Sequence, residues 1–350
     1  LGDLGALTGL VILSFYTVVA GWVALYALHY ALESVALAAP IGRPAAYFTA
    51  ITEDAAAQAA AAAMIVVAGA AIMMRDAVRG IEAAMRWMAP VFLASLALLA
   101  LVVVFATPSP LNVAAYLLRP DFSALTLDAA SEAIGHAFFT LSIGMCGMLV
   151  YGAYLPRGAD IGNLAFTVAF IDTAISIVCA FIVMGVAFSS GADPAQGPGL
   201  IFVVLPDAFA RLPGGPLLAA VFFITVFMVA FSSIIAVMIV VTRALEDKLS
   251  LTPRAASLAC AAAILAGALA VIASISGLAK IEFFGLGLFD LLDTLASSIL
   301  LPISGIGVAL FAARAMAAPL RGLRGGPAIL FCLRFIAPVG LAVVAISKIP

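Results

Sequence analysis

The chain has 350 residues, 66% of them hydrophobic and 10% charged, with mean hydropathy +1.27 and formal net charge −2. Apolar runs of about twenty residues recur from end to end, more than a soluble core needs, so the composition predicts an all-α polytopic membrane protein. Charges of both signs are scarce, which excludes a basic field for nucleic acid and an acidic tail for a soluble partner.

The first span is predicted over 4–32. It follows Leu1 at once, with no basic n-region or small-residue cleavage site of the signal-peptide kind, so the chain reads as one whose beginning is missing. Further spans are predicted at 55–74, 87–106, 129–155, 163–188, 215–242, 255–276, 285–312 and 327–346, nine in all. Most reach the roughly 20 residues that cross ~30 Å of hydrocarbon. Cys146, Cys179, Cys260 and Cys332 lie in these apolar runs without CxxC spacing, which argues for packing rather than disulfides or zinc.

A cytoplasmic loop at 75–86 sets the topology. That side then holds Arg75, Arg79, Arg86, Arg157, Arg243, Lys248, Arg254, Arg314, Arg321 and Arg324, against Arg43, Arg119, Arg211, Lys280 and Lys348 opposite. The asymmetry satisfies the positive-inside rule and puts the carboxyl terminus outside. Two outer loops, 107–128 and 189–214, are longer than plain connections. The second mixes Pro and Gly with an apolar middle, which predicts a short helical hairpin folded over the outer face as a lid.

Several polar residues sit where lipid excludes them. In 129–155, Gly135, Gly144 and Gly147 lower helix propensity while Thr140 and Ser142 add hydroxyls. Two readings stand: close helix packing through small residues, or a discontinuous helix whose half-ends bind a carboxylate and a cation. Asp172, about nine residues into its span, favours the second, because a central charge costs on the order of 2.5–3.5 kcal/mol unless compensated. Ser176 shares its helix face at i+4; the alternative is a protonated acid bonded to a neighbour. Ser232 and Ser233 either supply hard oxygen ligands or bond back to their own turn. Asp290 and Asp293 lie near the outer end of 285–312 and either or both face water. Tyr16 needs a hydroxyl partner in the bundle interior, and His136 reads as a structural hydrogen-bonding residue.

Five stretches carry a resemblance: "LSFYTVVAGW" (13–22), "AIGHAFFTLSIGMCGMLVYGAYLPR" (133–157), "GPGLIFVVLPDAFARLPGG" (197–215), "FSSIIAV" with "LEDKL" (231–249), and "FDLLDTLASSILLP" (289–302). In this order and spacing they resemble the neurotransmitter:sodium symporter family, particularly its bacterial amino-acid transporters. The resemblance implies an inverted-repeat helix bundle. Residues 1–350 would be a single transmembrane domain similar to the family's third to eleventh helices, an incomplete bundle with a discontinuous helix at 129–155. The family's first helix, which supplies ligands to both sodium sites and to the substrate carboxylate, would then be absent.

Residue by residue, the resemblance implies that Tyr16 contacts the substrate carboxylate and Phe139 closes over the bound amino acid. Ser142 lies at the unwound turn, while Ile12, Met145 and Val237 face the substrate side chain. Thr140 and Asp172 would serve one sodium ion, and Ser232, Ser233 and the Val229 carbonyl another; Asp293 resembles the outer-gate aspartate. Asp172 stands where many members carry a neutral ligand near a chloride site, which predicts chloride-independent transport. His136 departs from the glutamine common at its position.

The expected function is sodium-coupled symport of a small neutral amino acid by alternating access, in the inner (plasma) membrane, with sodium as coupling ion and no cofactor. The alternatives are a non-transporting amino-acid-binding membrane sensor and an inactive transporter fragment. An enzyme is disfavoured by the lack of a paired His/Asp cluster, GxSxG or DxxD motif.

Overall fold

Inside hydrocarbon a lone segment can satisfy its backbone only by coiling, and the apolar runs do so. The computed structural model describes residues 1–74, 77–106, 109–156, 158–189, 199–283, 285–321 and 326–347. Arg75, Arg157, Arg324 and Lys348 of the charge comparison, and 190–198 of the second outer loop, lie outside the described residues.

In chain order the helices are α1 (Gly2–Ser34), α2 (Pro44–Glu53), α3 (Ala55–Met73), α4 (Ala77–Ala106), α5 (Pro110–Leu118), α6 (Leu127–Thr140), α7 (Gly147–Gly152) and α8 (Ile161–Ser189). They continue as α9 (Leu205–Ala210), α10 (Gly215–Leu249), α11 (Pro253–Ile275), α12 (Leu288–Thr294), α13 (Leu301–Ala315), α14 (Ala317–Arg321), α15 (Gly326–Phe331) and α16 (Ala337–Ser347). A two-stranded antiparallel turn, β1 (Glu282–Phe283) with β2 (Leu286–Gly287), precedes α12. Local chemistry sets several starts. Asp54, Thr126 and Thr252 accept the amides of Ala57, Ala129 and Ala255, at 2.9, 3.1 and 3.3 Å, the side-chain caps that satisfy a first turn.

Among the described residues eight helical segments are long and apolar enough to cross a membrane. The ninth predicted span, 129–155, fails that length because it is broken into α6 and α7. The expected loop at 75–86 is instead helical from Ala77, so α4 begins about ten residues before the predicted span at 87. Its Ala, Glu, Met and Arg residues are strong helix formers and outweigh their polarity.

Three stretches widen to π-helix: Leu200–Val204, Leu295–Leu300 and Cys332–Ile336. Each ends two residues before a proline, Pro206, Pro302 or Pro338. In each, the residue before the proline donates five back, Leu205 to Leu200, Leu301 to Ala296 and Ala337 to Cys332. Proline offers no N–H and its ring crowds the carbonyl at i−4, so the preceding turn opens.

The centre of the molecule is α1, packed against α10, α11 and α3. Approach to α11 is close enough that a Cβ at Gly267 would lie 2.2 Å from Ser14 Oγ, the small-residue contact that lets membrane helices associate. Around Trp22 and Tyr26 of α1, aromatic rings fill the core. Trp22 meets Phe48, Phe202 and Phe289, and Tyr26 stacks on Phe223 at 4.9 Å. The Trp22 indole donates to Gln58 Oε1 at 2.8 Å and the Tyr26 phenol to the Phe202 carbonyl at 2.7 Å. The described part of the second loop expected to be outer, Leu200–Ala210, is helical and sinks side chains into the bundle rather than only lying across it. Phe202, Leu205 and Phe209 are buried in the bundle.

Candidate substrate and ion site

The break between α6 and α7 organises the site. At the α6 end the Ile143 amide reaches back to the Phe138 carbonyl at 3.2 Å and the Ser142 amide to the Phe139 carbonyl at 3.0 Å. This is the paired closure that ends a helix when the next residue turns left-handed. The left-handed residue is Ser142 at φ 53°, and Cys146 at φ 58° makes a second such turn into α7. Among the described residues, no backbone amide donates to the Thr140 or Leu141 carbonyl. The break thus leaves two carbonyl oxygens at mid-span for another partner.

Around the break lies a cavity of about 370 Å³. It brings together Ile12, Tyr16, Phe139, Thr140, Ser142, Met145, Asp172, Val229, Ser233 and Val237 from the sequence-derived set, with Ser176. These residues come from helices far apart in sequence, each presenting one face. Residues 172, 175, 176 and 179 of α8, and 229, 233, 236 and 237 of α10, follow helical periodicity. Tyr16 of α1 and Ser233 of α10 both bring hydroxyl-bearing side chains to this cavity. Asp172 is the one formally charged lining residue of this cavity.

Other predicted residues stand apart. The Ser232 hydroxyl donates to the Val229 carbonyl at 2.8 Å and Ser232 does not line the cavity, whereas Thr140, whose hydroxyl donates to the Ala137 carbonyl at 3.3 Å, does. Asp293 lines a second cavity of about 530 Å³ with Glu132, His136 and Ser297. Phe139 lines both cavities and forms the wall between them. Asp290 is exposed and lines neither cavity.

Sequence reasoning missed Leu13, Phe92, Ile175, Cys179 and Ala236 as wall residues. Ile175 and Cys179 were legible as i+3 and i+7 from Asp172; Phe92 has no such signal. Chemically, the cavity combines a carboxylate and five hydroxyl-bearing side chains with an apolar wall of Ile12, Phe139, Met145 and Val237, beside the unaccepted carbonyls of the break. Hard oxygens at a half-helix carboxyl end suit a small alkali cation, and the apolar wall suits a hydrocarbon side chain.

Comparison with known proteins gives a consistent picture. Residues 47–349 match the family model described as the Sodium:neurotransmitter symporter family. The chain is 26% identical to an uncharacterized sodium-dependent transporter of Bacillus subtilis, YhdH, over 99% of this chain and 79% of that protein. It is likewise 26% identical to an uncharacterized sodium-dependent transporter of Haemophilus influenzae, over 89% of this chain and 69% of that protein. Among solved structures it is similar to MhsT in complex with L-phenylalanine, with TM-score 0.87 and 30% identity, covering 99% of this chain and 80% of that one.

Proposed function

Because the chain belongs to the sodium:neurotransmitter symporter family, a family of transporters and not of enzymes, we propose that it carries a small neutral amino acid into the cell together with sodium. The multi-pass, sodium-dependent character follows from family and helices; the cargo, the direction and the residue roles are this reading's own. One observation carries it: the mid-span break, with its unaccepted carbonyls, borders a cavity lined by Asp172, by Thr140 and four further hydroxyl-bearing side chains, and by an apolar wall. The phenylalanine bound to the similar MhsT supports an amino acid as cargo.

In this reading residues 1–350 act as one transport domain. Tyr16 receives the substrate carboxylate, Ser142 lines the turn beside it, and Ile12, Met145 and Val237 surround its side chain under Phe139. Thr140 and Asp172 hold one sodium ion; Ser233 with Ser232 and Val229 holds another, once Ser232 turns away from its own helix. Asp293 serves as the outer gate. Without cation and cargo, a closed site leaves these polar groups unpaired in a dry interior, at a cost of several kcal/mol each. Occupancy therefore permits closure, and rocking then opens the opposite side. Asp172 supplies a fixed negative charge, so transport proceeds without chloride. The protein lies in the inner (plasma) membrane with its carboxyl terminus outside.

Uptake of labelled neutral L-amino acids into proteoliposomes tests the reading. Accumulation is expected with an inward sodium gradient and is lost when choline replaces sodium. Equal accumulation in both, or strict dependence on chloride when gluconate replaces it, overturns the corresponding part.

A further inference from the structure

The crossing helix that runs from α12 to α13 is built in two unlike halves. Its first half, α12, contains no fully buried residue and rests on the core through the half-buried Leu288, Phe289 and Leu292, whereas α13 buries Leu301, Pro302, Ser304, Gly305, Val308, Ala309 and Ala313. Between them lies the π-helical stretch Leu295–Leu300, closed by the Leu301 amide reaching back to Ala296. Pro302 has no N–H to offer the Ser297 or Ser298 carbonyl, so this turn holds fewer backbone bonds than a regular one. A half-buried arm joined to an embedded shaft through an under-bonded turn has the build of a hinge.

The same turn touches the break in the α6–α7 span. A Cβ added at Gly144 would lie 2.7 Å from the Leu301 carbonyl oxygen and 2.8 Å from Leu301 Cδ2. The two irregular backbones thus seat on each other at Gly144 and Leu301, and only a residue without a side chain permits it. Asp293 lies on the arm just before the π stretch, and Ser297, Leu301 and Pro302 line the cavity that Asp293 and Phe139 share. The other two π stretches make no such contact with the break through any glycine.

We infer that Pro302 and Gly144 are positioning residues. Pro302 keeps the turn at 295–300 bendable, so that the Asp293 arm swings on α13. Gly144 seats the α6–α7 break against that turn, so that a change in the break moves the arm. The inference rests on the transport reading for its purpose, but the bend itself is a property of the chain alone.

The test is the separation of two spin labels within this one helix, at Asp290→Cys on the arm and Arg314→Cys at the end of the shaft, with the four native cysteines replaced by alanine. Measured by pulsed electron spin resonance in nanodiscs without sodium, the labels are expected to give a broad or two-peaked distribution. Pro302→Ala should narrow it to one peak, and Pro338→Ala, in a different helix, should leave it broad. Gly144→Ala, remote from both labels, should shift it. A single narrow separation in the parent that Pro302→Ala leaves in place overturns the hinge, and an unmoved distribution in Gly144→Ala overturns the coupling. If Pro302→Ala fails to fold, the parent distribution and the Gly144→Ala shift still decide. Loss of sodium dependence in uptake would refute the transport reading and leave these separations as they are.

Discussion

The Phe138 carbonyl accepts the Ile143 amide at 3.2 Å, and between them Ser142 stands at φ 53°. A residue with a Cβ in the left-handed region is strained by roughly 1–2 kcal/mol. Ser142→Gly is therefore expected to raise the thermal midpoint of the purified protein, while Ser142→Val, β-branched, lowers it. Thermal unfolding followed by tryptophan fluorescence checks both; a lower midpoint for the glycine variant contradicts the strain.

The hydroxyls facing the cavity should be worth more to sodium than the one turned away. Thr140→Val and Ser233→Ala each remove a hydroxyl from a cavity-lining residue, Thr140 although it also donates to its own Ala137 carbonyl at 3.3 Å, and a bond to a charged group is worth about 1.5–3 kcal/mol. We expect at least a tenfold rise in the sodium concentration giving half-maximal uptake. Ser232→Ala, whose hydroxyl already serves the Val229 carbonyl, should give a smaller rise. Sodium titrations of uptake rank the three.

Asp172→Asn removes the one formal charge lining the cavity. The variant is expected to lose uptake in gluconate medium and to regain part of it when chloride is restored. Uptake by the variant that is the same in both media would separate Asp172 from the anion question.

Tyr26→Phe strips the donor from the buried Phe202 carbonyl. An unpaired buried acceptor costs about 1–3 kcal/mol, so the midpoint should fall and cleavage within 199–215 by added protease should quicken. Trp22→Phe should act similarly by orphaning Gln58 Oε1.

Much of this architecture was legible because hydrocarbon allows few solutions. Apolar length located the spans, and glycines beside Thr140 and Ser142 marked the broken one. The identity of the left-handed residues was not legible. Propensity assigns such turns to glycine, yet here serine and cysteine take them, and Gly144 is spent on contact with Leu301. The early start of α4 was hidden because a charged amphipathic turn reads as loop by hydropathy alone. The π stretches had a signal that hydropathy ignores: a proline late in an apolar helix, read for the turn before it rather than for a kink at it. That Ser232 turns onto its own helix while Ser233 faces the cavity is decided by helix rotation within the bundle, which adjacent positions in a sequence do not reveal.

The burial of Phe202, Leu205 and Phe209 bears on reagents as well as on mechanism. These side chains are anchored in the bundle and line neither cavity. An antibody fragment raised against Leu200–Ala210 should bind equally with and without sodium, and would count molecules rather than report their state. A conformation-selective binder belongs over Asp290 and Asp293 instead.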